Sequence, residues 1–353
     1  MPKLAFLEVN GLLTAYNTGM PMALKAFSIW IRAGELRIGT EDAPHLAPFT
    51  VLLLGDSRAA HWAFNGAIEV GNKALVVTGI LNLHALPRSN TKTRLKVSAN
   101  PEDETLFLED VSGITTHTGD QCGGTIRPPK GDLLAIAPSN MCTTCYDTCE
   151  VATVGAGTVT CVDGSQAIKH FHFGAASSTA GTGSAWGGVD MRAEVAVLDR
   201  SIVIRAEDDY MGQTHYSGSN VDDEAWGCRV LVADWIDNGH DLGSPSPNYA
   251  QRRGEVHLDS VEVRNCAQKG TWRAAVKFHG ATGAAVPSTI RRSAIHSGQA
   301  PGVHFRGSAR ITFEDNEVVG FVEHGIWVEG SQDLTLTDNW VIYVRPPEYI
   351  TID

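Results

Sequence analysis

No run of about 18 or more apolar residues occurs in the 353-residue sequence, so no segment reads as a membrane-spanning helix. Charge is scarce too: Asp, Glu, Lys and Arg make up 19% of residues, with a formal net charge of −12. That balance argues against a general affinity for nucleic acid or anionic lipid, which select basic surfaces. Long amphipathic stretches of helical period are missing, which disfavours a helical bundle. The chain also lacks a nucleophile elbow, a phosphate-binding glycine loop and a zinc-protease motif. It has no N-x-S/T sequon, so glycosylation gives no pointer to a compartment. The opening MPKLAFLEVNG lacks the apolar core of roughly 7–15 residues found in signal peptides and reads as the middle of a strand. The closing VIYVRPPEYITID stops shortly after another strand. Repeat stacks need capping units at their ends, and none is evident, so a fragment of a longer protein is expected.

What the chain does contain is glycine, 36 residues of it, and 43% hydrophobic residues. Together these indicate a turn-rich globular fold rather than disorder. The C-terminal part is periodic. TIRRSAIHS starts at 289, TFEDNEVVG at 312 and TLTDNWVIY at 335, a spacing of 23 residues. AVKFHGA, GVHFRGS and GIWVEGS start at 275, 302 and 325, spaced by 27 and 23. A looser copy, HLDSVEVRN, begins at 257, 32 residues before TIRRSAIHS.

In the second set the apolar residues alternate: Val276 and Phe278, Val303 and Phe305, Ile326 and Val328. Alternation places one face of a strand inward and the other outward. Each coil then has at least two short strands, and neither can bury its apolar face alone. Stacking like strands about 4.8 Å apart solves this and gives a parallel β-helix. Val328→Asp is accordingly expected to unfold its coil by burying an unpaired carboxylate. Asn316 over Asn339 predicts an amide ladder in a turn, hydrogen-bonded along the stack. A leucine-rich repeat shares the period and the L-x-L-x-x-N pattern. It wants leucine where Ser308 and Ser331 stand and a helical segment where GIWVEG reads as strand. The β-helix fits better.

Upstream, FSIWIRAGELRIG, VLLLG, GNKALVVTGILNLHA and DLLAIAPS are further strands bounded by glycine. AASSTAGTGSAWGG, spanning 175–188, reads as a flexible loop. Of seven cysteines, Cys122, Cys142, Cys145, Cys149 and Cys161 are the disulfide candidates, and Cys228 and Cys266 stand apart. A zinc site is less favoured than disulfides because CTTCYDTC has no second C-x-x-C to complete it.

The runs ELRIGTEDAPH, VLLLGD, GNKALVVTGILNLHALPR, DLLAIAPS and MRAEVAVLDRSIVIRAED resemble the G8 domain. GEVHLDSVEVRNCAQKG followed by STIRRSAIHSGQ resembles the β-helix that follows that domain in fibrocystin and fibrocystin-like proteins. The resemblance implies an all-β chain: a right-handed parallel β-helix of the pectin-lyase-like kind, preceded by a β-rich G8 domain. The implied boundaries are 1–174 for an N-terminally truncated G8 domain, 175–188 for the loop and 189–353 for the β-helix. It further implies a segment of a large extracellular or cell-surface protein, associated with cilia in some lineages. Membrane anchoring, if present, would lie outside this segment. The same pair of domains occurs in the hyaluronidases of the cell-migration-inducing family, so fold does not choose the function.

That second family carries a run resembling R-Y-P-x-H-F-H. Here Arg273 and His279 match it, while Ala274, Ala275 and Lys277 replace the tyrosine, proline and first histidine. Arg273, His279 and Glu329 are therefore weak catalytic candidates, and a polysaccharide hydrolase is the alternative to a non-catalytic role. If the alternating apolar residues point inward, Lys277, His304 and Trp327 form one outward column and His279, Arg306 and Glu329 the next. Cations beside an indole suit an acidic glycan, because rings stack on sugars and guanidinium binds carboxylate or sulfate with two hydrogen bonds. The plainer reading is a solvated outer face.

Asp315 and Asp338 could form a carboxylate pair, though Asp before Asn more commonly serves a turn. Asp234, Asp237, His240 and Asp241 could bind a divalent cation but lack EF-hand spacing. His170 and His172 share a strand face and read as a packed or solvent-facing pair rather than as ligands. No cofactor and no metal are expected. The expected role is an adhesive or ligand-binding ectodomain segment whose partners are polysaccharide or extracellular proteins. A structural spacer is the second alternative.

Overall fold

The computed structural model describes residues 3–55, 59–64, 68–116, 131–140, 142, 145–162, 168–174, 185–186, 189–207, 226–237 and 250–345. Every regular element among them is a β-strand, and no helix among them is long and apolar enough to cross a membrane. Packing divides the chain into two units, residues 1–86 with 200–353, and residues 87–199.

The first unit is a parallel β-helix with three faces. The first face stacks Leu4–Val9, the second half of Met22–Ile31, Ala74–Val77, Arg229–Ala233, Val276–His279, Val303–Arg306 and Ile326–Glu329. A second face of seven strands runs from Leu12–Thr14 through Glu35–Ile38, Ile80–His84, Glu255–Asp259, Ser288–Arg291 and Ala309–Glu314 to Gln332–Thr337. The third stacks the first half of Met22–Ile31, Phe49–Leu53, Ile202–Ala206, Val261–Arg264, Ala294–His296, Glu317–Val322 and Trp340–Arg345. The long strand Met22–Ile31 pairs Phe49–Leu53 with one half and Ala74–Val77 with the other, so it joins the first and third faces into one sheet.

The pairing register reproduces the repeat in the sequence. Val303 pairs with Ile326 and Thr312 with Thr335; Val276 pairs with Val303 and His257 with Thr289. Inward side chains stack in columns such as Ile31, Val77, Val232, Phe278 and Phe305, all fully buried. The corners explain the repeated small residues. Gly280, Gly307 and Gly330 hold φ of 62°, 54° and 58°, a left-handed bend that glycine enters without a Cβ penalty. One strand later, Arg292, Asp315 and Asp338 hold φ of 51°, 52° and 54° at the next corner. Asn316 and Asn339 follow it. Asn316 donates from its backbone N and Nδ2 to Asn339 Oδ1 at 3.1 and 3.0 Å, and Ser293 N donates to Asn316 Oδ1 at 3.0 Å. Each amide thus satisfies backbone groups at a corner that the strands leave unpaired.

Two expectations need correction. Residues 4–86 supply the first coils of the same stack, so the β-helix does not wait until residue 189. The repeat is hidden there because hairpins and long insertions separate successive coils. Val328 continues the column below Phe305 but is 45% exposed, since no described coil lies beyond it. A carboxylate at Val328 meets water, and the buried-charge test belongs at Phe305 instead. The flexible loop expected at 175–188 lies largely outside the described residues.

The second unit is a six-stranded antiparallel sheet in the order Lys92–Arg94, Glu194–Val197, Leu133–Ile136, Asp147–Gly155, Thr158–Cys161, Thr105–Phe107. Leu95, Leu106, Leu134, Ile136, Val151, Val159 and Val195 form its core around the Cys149–Cys161 disulfide. Buried Asp132 is held by Arg88 at 2.6 Å.

Candidate functional site

The outer side of the first face changes character along the stack. In register, the outward residues run Trp30, Val76, Leu231, Lys277, His304, Trp327. Trp30, Val76 and Leu231 are covered by Val70, Trp235, Trp62 and Ile68, forming a second apolar cluster outside the tube. Beyond Leu231 the column becomes polar. Lys277 is 9% exposed and His304 is 1% exposed, so both point outward yet are buried. That departs from the solvated face read from alternation, which reports direction but not cover.

The second column places His279, Arg306 and Glu329 side by side. Glu329 accepts from His304 Nε2 at 3.3 Å and lies 3.4 Å from Arg306 Nε. Arg229, fully buried, donates to the carbonyl oxygens of Glu69 and Val70. Among the described residues, Lys277 has no hydrogen-bond or ion-pair partner; its neighbours Arg229 and Arg306 repel its charge and Glu329 attracts it.

Burial dominates the titration of this cluster. It pushes Lys277 down to about 8, helped by Arg229 and Arg306. Burial, then Lys277, pushes His304 down to about 4 against the opposing pull of Glu329. His304 is therefore neutral near pH 7, and its contact with Glu329 is a hydrogen bond from an uncharged ring. His279 is lowered by burial first and by Lys277, Arg306 and Arg229 after it. Near pH 7 the cluster holds Lys277, Arg229 and Arg306 against Glu329, a positive patch on a chain of net charge −12.

The aromatic part also differs from expectation. Trp327 stacks on His304 at 3.9 Å with 4° between planes, and lies near-parallel to His324 at 5.0 Å. Its ring is already packed and is a poor sugar platform. Trp272, 5.4 Å from Trp327 and 57% exposed, is the accessible indole. Sequence reading missed it because it lies outside the repeated strands, in the connection between Val261–Arg264 and Val276–His279.

Arg273 is occupied elsewhere. It pairs with Glu69, donates to Gln268 Oε1 at 3.1 Å and lies over the Trp226 ring at 5.7 Å. These contacts give it a positioning role at the hairpin of residues 62–71. Asp234 accepts from the backbone N of Gly254, Thr282 and Gly283, while Asp237 binds Arg32 at 2.6 Å and Arg252 at 3.1 Å. His240 and Asp241 lie outside the described residues. Among the described residues no group of three or more His, Cys, Asp or Glu is placed to hold a metal ion. Asp315 and Asp338 occupy the left-handed corner positions noted above. His172 is buried between Asp147 and the Ala137 carbonyl at 2.9 and 2.8 Å, and His170 meets the same carboxylate.

Cys142 pairs with Cys145 and Cys149 with Cys161; Cys122 lies outside the described residues. A third disulfide, Cys228–Cys266, links neighbouring coils and was not anticipated. Its partners stand 38 residues apart, a separation unrelated to the 23-residue period, so no local signal marked them as a pair.

Residues 1–96 match the G8 domain and residues 249–345 match the right-handed β-helix region. Human fibrocystin-L (Homo sapiens) is 26% identical over 375 aligned positions, covering 99% of this chain and 8% of that protein. Dog fibrocystin (Canis lupus familiaris) is 25% identical, covering 91% and 7%. The chain thus spans less than a tenth of the length of these relatives. A tailspike of Pseudomonas phage phi297 is similar at a TM-score of 0.27 and 12% identity, covering 87% of this chain and 40% of that one. The G8 match takes in the first coils of the stack. Along nearly its whole length the chain resembles fibrocystin and fibrocystin-L, with a G8 domain whose strands lead into a right-handed parallel β-helix.

Proposed function

We propose that this chain is a ligand-binding segment of an extracellular, fibrocystin-like protein, without catalysis of its own, and that it binds acidic glycan on the outer side of strands Val276–His279, Val303–Arg306 and Ile326–Glu329. One observation carries the reading: Lys277 is a buried cation with no carboxylate partner among the described residues, set between Arg229 and Arg306. Such a charge destabilises the fold, so its presence makes sense where an anionic ligand supplies the missing partner. Arg306 adds an exposed guanidinium that can grip a carboxylate or sulfate. Trp272 adds an exposed ring beside the cluster.

Hydrolysis by paired carboxylates needs two of them roughly 5–10 Å apart. Within this cluster Glu329 is the carboxylate among the described residues, and it is engaged by His304 and Arg306. An extracellular setting is supported by the similarity to fibrocystin-L and by three disulfides, which persist in oxidising compartments.

The test is size exclusion of the protein mixed with acidic and neutral polysaccharides. Co-elution with intact acidic polymer, weakened in Arg306→Ala and Lys277→Met, is expected. Shortened polymer would sink the non-catalytic part of the proposal. Absence of co-elution with every acidic polymer would sink the binding surface.

A further inference from the structure

We infer that Lys277 and His304 form a hydroxyl-recognition subsite, so that this surface prefers a ligand bearing hydroxyls beside an anionic group, as a uronate sugar does, over one bearing anionic groups alone. The inference rests on the binding reading above and specifies what the ligand must carry.

Lys277 and His304 are register partners on adjacent strands, about 4.8 Å apart along the stack. Both face outward and are at least nine-tenths buried. An ammonium can only donate hydrogen bonds, and no described residue accepts one from Lys277. His304 is the complementary case. Its Nε2 faces the Glu329 carboxylate, which can only accept, so the ring proton resides on Nε2. The downward push of burial on this imidazole keeps it in that neutral form near pH 7. Nδ1 is then a bare lone pair, and it is buried without a hydrogen-bond partner.

A donor lacking an acceptor therefore stands beside an acceptor lacking a donor. Carboxylate or sulfate satisfies Lys277 but has no proton for Nδ1. A hydroxyl satisfies both, its oxygen accepting from the ammonium and its hydrogen going to Nδ1. Sites that hydrogen-bond a hydroxyl reject analogues lacking it, because the buried partners are left unpaired. Arg306, in the next column and exposed, takes the ligand's charge together with the remaining donors of the Lys277 ammonium.

Three soluble polymers of matched length separate the possibilities when titrated against the full chain. Polygalacturonate carries carboxylates and hydroxyls, polyglutamate carboxylates alone, and dextran hydroxyls alone. Polygalacturonate is expected to bind at least about tenfold more tightly than polyglutamate, with dextran weakest. His304→Phe keeps a ring against Trp327 but removes Nδ1, and should bring polygalacturonate down to the polyglutamate level while polyanion binding persists. Equal binding of the two polyanions by the parent protein overturns the subsite and leaves the binding surface standing. If the folded parent binds none of the three, the binding reading fails and the subsite with it. Where His304→Phe does not fold, the parent's own ratio decides.

Discussion

Replacing Lys277 by methionine keeps the stem's volume and removes the charge. The ammonium is pushed from 10.5 down to about 8 by burial and by Arg229 and Arg306. A displacement of that size corresponds to an upper limit of about 3 kcal/mol by which the folded state disfavours the charged form. Contact with solvent on the open side of the cluster reduces it, and about 1–2 kcal/mol of stabilisation is expected in Lys277→Met at pH 7. The pH dependence has a definite sign. Below about pH 8 the lysine is charged in both states and the penalty is fully present. Between about 8 and 10.5 the unfolded chain holds the proton and the folded chain does not, so parent stability rises with pH. Above that window the penalty is gone.

Urea unfolding of parent and variant at pH 7 and pH 10.5 measures the difference directly, and subtraction cancels the titrating groups that do not interact with Lys277. The variant should be the more stable at pH 7 and nearly equal to the parent at pH 10.5, while losing acidic-glycan binding. A variant less stable than the parent at pH 7 would refute the claim that Lys277 is an unpaired buried cation.

Acidic-polymer binding by the parent should fall as pH rises through about 8, when Lys277 loses its proton, and should change little between pH 5.5 and 7, because His304 sits at about 4; a titration by fluorescence polarisation reads both. Phe305→Ala removes a ring stacked 5.5 Å from Phe278 inside the tube and should cost about 3–5 kcal/mol, whereas Val328→Asp, at the exposed end of that column, should cost far less in the same unfolding assay. Asn316→Ala leaves Ser293 N, which donates to Asn316 Oδ1, without its acceptor, and should cost about 1–3 kcal/mol, visible as a lower melting temperature. Under graded reductant, the partly accessible Cys142–Cys145 should open before Cys149–Cys161 and Cys228–Cys266, which are buried; thiol labelling with mass spectrometry gives the order.

Much of the architecture was legible in the residues because a β-helix is a local period repeated. The glycine that must turn left-handed at 307 and 330, the amides at 316 and 339 and the alternation of Val303 with Phe305 each follow from neighbours a few residues away and from the coil above. Those constraints determined the all-β fold, the parallel register with its 23-residue step, and the direction in which Lys277, His304 and Arg306 point. Direction was as far as the pattern reached. Burial of Lys277, the tautomer of His304, the packing of Trp327 between imidazoles, the diversion of Arg273 to Glu69 and the Cys228–Cys266 bond were decided by tertiary structure alone. The Arg273 and Cys228–Cys266 contacts join segments separated by stretches of irregular length, which no sequence period encodes. The tautomer of His304 and the packing of Trp327 depend on side-chain orientations that the 23-residue register leaves open.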